Sequence, residues 1–83
     1  MKVTIKYFAS IREAIGHASE QRETSAMTLA GLRDELLAVS PAHAESLARD
    51  KSVRLAIDQV MSEESAVLRD GCEVAFFPPV TGG

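Results

Sequence analysis

One cysteine, Cys72, is all the chain carries. That excludes an intramolecular disulfide and any Cys-held metal or iron–sulfur cluster, and it fits a reducing compartment. Glycine is scarce: only Gly16, Gly31 and Gly71 precede a terminal pair, so neither a G-x-G-x-x-G loop nor a P-loop can be built. No apolar run approaches the roughly 20 residues of a membrane span, and Lys6 and Arg12 interrupt any signal-peptide reading of the start. These features make a cytoplasmic chain the expectation. Basic charge is also short, with 9 Lys and Arg against 12 Asp and Glu and no basic run, so a nucleic-acid partner is not expected. At 83 residues the chain makes one small domain with little interior to spare for an enclosed active site. His17 and His43 sit among small residues without local ligand spacing and are expected as solvated surface groups. Cys72 has no basic cluster nearby in sequence to lower its pKa, and reads as a small buried hydrophobe.

What is present is a pattern of short elements. Residues 2–8 alternate, with Val3, Ile5 and Tyr7 on one face, as a half-buried strand does. Residues 11–15 make a helical turn closed by Gly16, and the polar segment 19–24 is a weak edge strand. Thr28 is an N-cap for a main helix whose stripe is Leu29, Leu32, Leu36 and Val39. Ser40-Pro41 ends that helix and Pro41 opens a shorter one reaching Leu47 and Ala48. Val53, Leu55 and Ile57 alternate as a strand, Asp58-Gln59 turns, and Val60-Met61 returns. Asp70-Gly71 is a turn before a last strand over 72–77, with Cys72, Val74 and Phe76 inward and Glu73, Ala75 and Phe77 outward. The order predicts an α+β fold of the β-grasp kind: a mixed sheet, its first and last strands parallel in the middle, with the main helix on one face.

The end of the chain is the unusual part. Pro78 and Pro79 cannot donate to a sheet and stiffen the exit from the last strand. Val80 and Thr81 favour extended backbone, and Gly82 and Gly83 have no side chains to keep them from a narrow slot in another protein. A terminal carboxylate, with an ordinary pKa of about 3.5, is anionic at neutral pH and must be activated before a nucleophile attacks it. The expected division is a domain over 1–80 and a flexible functional tail over 81–83.

The run Leu68-Arg69-Asp70-Gly71-Cys72-Glu73-Val74-Ala75-Phe76-Phe77-Pro78-Pro79-Val80-Thr81-Gly82-Gly83 closely resembles the C-terminus of the molybdopterin synthase sulfur-carrier (MoaD) family. The start, Val3-Thr4-Ile5-Lys6-Tyr7-Phe8-Ala9-Ser10-Ile11-Arg12-Glu13, is similar to that family's first strand and its Phe-Ala-x-x-Arg-Glu turn, and Leu55-Ala56-Ile57-Asp58-Gln59 to its middle hairpin. Cys72 stands where Asp is common and Asp58 where Asn is common. The resemblance implies a ubiquitin-like β-grasp carrier that is not an enzyme on its own and binds no cofactor itself. A ubiquitin-activating-type adenylyltransferase would use ATP and Mg to adenylate Gly83, and a persulfide sulfur donor would convert it to a thiocarboxylate. The charged end would then give sulfur to cyclic pyranopterin monophosphate inside the large catalytic subunit, in a heterotetramer of two small and two large subunits. Gly83 is the reacting residue on this reading and Thr81 and Gly82 form its tail. Phe77, Pro78, Pro79, Val80 and Arg12 would meet the partner. A thiamine-thiazole sulfur carrier, a ubiquitin-like modifier conjugated to lysines, and a plain β-grasp binding module are the competing expectations.

Overall fold

A computed structural model describes residues 1–79. The expected tail over 81–83, and Val80 with it, lie outside the described residues. Strand β1 (Lys2–Tyr7) is followed by α1 (Ala9–Ile15), β2 (Ser19–Glu23), α2 (Leu29–Leu37), α3 (Pro41–Ser46), a single 3-10 turn at Arg49–Lys51, then β3 (Arg54–Ile57), β4 (Val60–Ser62) and β5 (Glu73–Phe77). The five strands form one mixed sheet in the order β2-β1-β5-β3-β4. The first and last strands lie side by side and parallel, Ile5 opposite Val74 and Tyr7 opposite Phe76, as the alternation predicts. The other three pairings are antiparallel.

One face of this sheet carries the core. Val3, Ile5 and Tyr7 of β1, Val74 and Phe76 of β5 and Leu55 and Ile57 of β3 pack against Ile11, Leu29, Leu32, Leu36 and Leu47. Cys72 is buried with them, as expected, although β5 begins one residue later at Glu73. Thr28 caps α2, its Oγ1 accepting from the Gly31 amide at 3.3 Å. Gly31 repays its poor helix propensity through close approach: a Cβ there would stand 3.2 Å from the Ala26 Cβ. Gly16 closes α1 at φ 100°, in the left-handed region, and its amide donates to the Arg12 carbonyl.

Three expectations need correction, and that for Ala75 holds with one addition. Val39 does not extend the α2 stripe: the helix stops at Leu37, the chain turns before Ser40-Pro41, and Val39 is 44% exposed. The second helix ends at Ser46, because buried Arg33 reaches across from α2 and donates to the carbonyls of Leu47 and Ala48 at 2.8 and 3.1 Å. Ala75, expected outward on β5, does point away from the helices but is buried, paired in register with Lys6 and Ala56. His43 is not a solvated surface residue: it is 5% exposed, on the inward face of α3 against the Tyr7 ring. No described helix is long and apolar enough to cross a membrane.

Candidate functional site at the sheet exit

The sheet face opposite the helices is where the chain leaves its last strand. Strand alternation places Phe77 there, across from Arg54 of β3. Phe8, the residue after β1, donates its amide to the Phe76 carbonyl at 3.2 Å, which brings its ring to the same place. The two rings stack with centroids 4.5 Å apart and planes 13° from parallel. Phe77 is thus half-buried rather than free, and it packs on Phe8. Phe8 itself remains 38% exposed. Ala9 follows at φ 50°, a left-handed conformation that an alanine adopts only when its surroundings impose it. That turn sets Phe8 over the end of β5.

Around the stacked pair is an apolar hollow of about 330 Å³ lined by Phe8, Ala9, Arg54, Met61, Phe77 and Pro78. Met61, opposite Ala56 on the edge strand, is 57% exposed. A second hollow of about 390 Å³ lies between α1 and α3 and is bounded by Lys51, Val53, Pro78 and Pro79. Pro78 belongs to both walls, so the chain leaves the domain along the ridge between an apolar and a more polar depression. Arg12 stands on the far side of Phe8, exposed, in a third depression with Lys6, Tyr7, Ala18 and Ser19. The structure therefore brings Phe77 and Pro78 together in one hollow, puts Pro79 in the next, and separates Arg12 from them by the Phe8 ring. Val80, Thr81, Gly82 and Gly83 lie outside the described residues.

Phe8, Met61 and Arg54 were not singled out by the sequence. Their alternation signals which face they take, but only the register of β1, β3, β4 and β5 shows that they meet. Among the described residues no three His, Cys, Asp or Glu side chains stand where they could hold a metal ion. Cys72 is buried among apolar neighbours on the other face.

A five-stranded mixed sheet in the order β2-β1-β5-β3-β4, with its helices on one face, defines a ubiquitin-like β-grasp fold. Residues 5–83 match the ThiS family, and the chain belongs to that family. Within it the chain falls with the molybdopterin synthase sulfur carrier subunits. It is 36% identical over 81 residues to the "Molybdopterin synthase sulfur carrier subunit" of Escherichia coli (strain K12), covering 98% of this chain and 99% of that one. Among solved structures it is similar to the "Putative molybdopterin converting factor, subunit 1" of Pyrococcus furiosus. That match has a TM-score of 0.75 and 27% identity, over 96% of this chain and 99% of that one. The fold is also that of a chain in the "Protein-protein complex of subunit 1 and 2 of Molybdopterin-converting factor" from Helicobacter pylori. There the TM-score is 0.71 at 23% identity, with both chains fully covered.

Proposed function

We propose that this protein is the sulfur carrier of a molybdopterin synthase and that the carboxyl carbon of Gly83 is its working atom. The observation that carries the reading is the exit: a stacked aromatic platform fixed beside Pro78, where the chain leaves its last strand. Such a platform gives a partner something to grip while the four residues beyond Pro79 reach into it. Four residues span at most about 14 Å when extended, a depth that suits a buried pocket.

The chemistry divides between partners. The Gly83 carboxylate attacks the α-phosphate of ATP on an adenylating enzyme that uses Mg, and pyrophosphate leaves. A persulfide sulfur attacks the acyl-adenylate carbon, AMP leaves, and a thiol cleaves the sulfur–sulfur bond to release the thiocarboxylate. That group is ionised and nucleophilic at neutral pH, as thiolates are. Inside the large subunit it gives its sulfur to cyclic pyranopterin monophosphate, and hydrolysis restores the carboxylate. The small chain is a co-substrate in the cytoplasm and not an enzyme by itself. Relatives at 34–36% identity all carry the molybdopterin synthase name, which favours this reading over a thiamine-thiazole carrier or a lysine-conjugated modifier.

The docking part of the proposal is tested by titration. Phe77→Ala should weaken binding to the large subunit by tenfold or more, the scale on which a buried interface aromatic acts, with an unchanged circular dichroism spectrum. Phe8→Ala should do the same, since neither ring keeps its orientation alone. Unchanged affinity in both variants defeats the platform. The chemical part is tested at Cys72: Cys72→Ala should retain sulfur transfer in vitro, because the thiol only fills the core. A folded Cys72→Ala protein that transfers no sulfur would put the chemistry on the wrong atom.

A further inference from the structure

His43 is a buried ionisable ring that the carrier chemistry leaves unexplained. It lies on α3, and its Nδ1 is 2.8 Å from Ser40 Oγ, which also accepts the His43 amide at 3.1 Å as the helix N-cap. With Ser40 Oγ accepting that amide, its own hydrogen is free to donate to Nδ1, and the neutral ring then carries its proton on Nε2. Nε2 is buried and has no hydrogen-bond partner, and so is the hydroxyl of Tyr7 beside it. The two rings meet edge-on, with centroids 5.8 Å apart. The nearest countercharge is Glu20 of β2, whose Oε2 is 4.0 Å from Nε2 but is already engaged by His17 Nε2. Arg22 of β2 adds positive charge from the same side and is itself paired with Glu35 of α2 at 3.2 Å. From α2, Arg33 holds the carbonyls that follow α3. On α1, Arg12 and Glu13 are exposed. A proton arriving at His43 therefore meets two obstacles. It must reverse the Ser40 hydrogen bond, and it must place a cation among apolar surfaces with its one carboxylate neighbour shared.

The position of α3 gives this a consequence. Ala42, Glu45 and Ser46 of α3 form one wall of the hollow whose other side is the Pro78-Pro79 exit. We propose that His43 is an acid-sensitive latch: neutral, it seats α3 on the Tyr7 ring of β1, and on taking up a proton it loosens α3 from α1 and α2 and opens the hollow beside the exit. Burial holds the ring below its ordinary value, outweighing the attraction of Glu20. Because the folded ring gives up its proton more readily than a free one, the seated state keeps its full stability above about pH 6.5. It loses stability as the pH falls below that value. The window from about pH 7.5 to 5.5 lies above the range in which carboxylates protonate, so acid denaturation of the rest of the domain does not intrude.

Hydrogen exchange and ring titration by NMR on the intact chain test the latch. The Ala44 and Leu47 amides, which bond to the carbonyls of Ser40 and His43 within α3, report its opening. The His43 ring should titrate below a free histidine. Corrected for intrinsic rates, the opening constant of these two amides should rise between pH 7.5 and 5.5 by up to about tenfold per unit, the limit for one proton. His17→Asn should make that slope shallower, because it removes a positive neighbour and leaves Glu20 free to meet the protonated ring, and His43→Leu should flatten it. A His43 midpoint at or above that of a free histidine, a lowered midpoint without change in α3 protection, or a slope that survives in His43→Leu overturns the proposal. If His43→Leu fails to fold, the titration and exchange of the parent chain decide.

Discussion

A chain lacking Gly83 should load no sulfur and support no molybdopterin formation, while its thermal midpoint stays with that of the parent. The two halves of this expectation have different physical origins. Stability rests on the core cluster, whose members run from Val3 to Phe76 and pack on one another. Gly83 has no side chain that could join that set, so its removal leaves the fold alone. Reactivity rests on placement. The carboxylate must meet the α-phosphate in line, and an error of about 1 Å costs on the order of 10²-fold in rate. Removing one residue shifts the chain end by about 3.5 Å, far beyond that tolerance. Adding a residue after Gly83 should be equally damaging, because the reacting carbon is then an internal amide. Gly82→Ala should be milder, since the chain keeps its length and only a methyl group is added. Reconstitution with the adenylating enzyme, a sulfide source and the large subunit checks all three. Activity in the Gly83 deletion contradicts the account.

Leu36→Ala should cost about 2–5 kcal/mol, the range for truncating a fully buried leucine when the cavity cannot collapse. Leu36 is completely buried at the contact between α2 and the sheet, in the cluster with Leu32, Leu29 and Phe76. Domains of this kind have about 5–15 kcal/mol in total, so the variant should unfold at a much lower urea concentration and populate unfolded chains near body temperature. A Leu36→Ala midpoint equal to the parent's would remove the helix-on-sheet packing from the account. The loss should reach the site as well. The Phe8 amide bond to Phe76 and the stacking on Phe77 both need β1 and β5 held in parallel register.

Much of the fold was legible because the relevant signals are local. The alternation of Val3, Ile5 and Tyr7 and of Val74 and Phe76 states which face is buried, and Thr28, Gly16 and Asp58-Gln59 mark boundaries through their own backbone chemistry. Asp58 and Gln59 both take positive φ, as a tight hairpin turn between β3 and β4 requires. The differences have separate causes. His43 looked solvated because its neighbours on α3 are small and polar, yet its burial is decided by Tyr7, more than thirty residues earlier in the chain. Val39 fits the helical spacing of Leu29 and Leu36, but the helix ends before it is reached. Ala75 follows the alternation correctly and is buried all the same, because a methyl group between Lys6 and Ala56 is too short to reach solvent. The candidate site divides in the same way. Phe77 and Pro78 could be read from strand period and proline chemistry. Phe8, Met61 and Arg54 could not, since they join the site only through strand register across the sheet.

The most direct test of the central claim is the intact mass of the full chain after incubation with its adenylating enzyme, ATP, Mg and a sulfide source, followed by fragmentation. A gain of one oxygen-to-sulfur exchange is expected, carried by the fragment that ends in Gly83 and absent when ATP is omitted. A gain that maps to Cys72 or to any other residue, or no gain from a chain that binds the adenylating enzyme, contradicts the central claim.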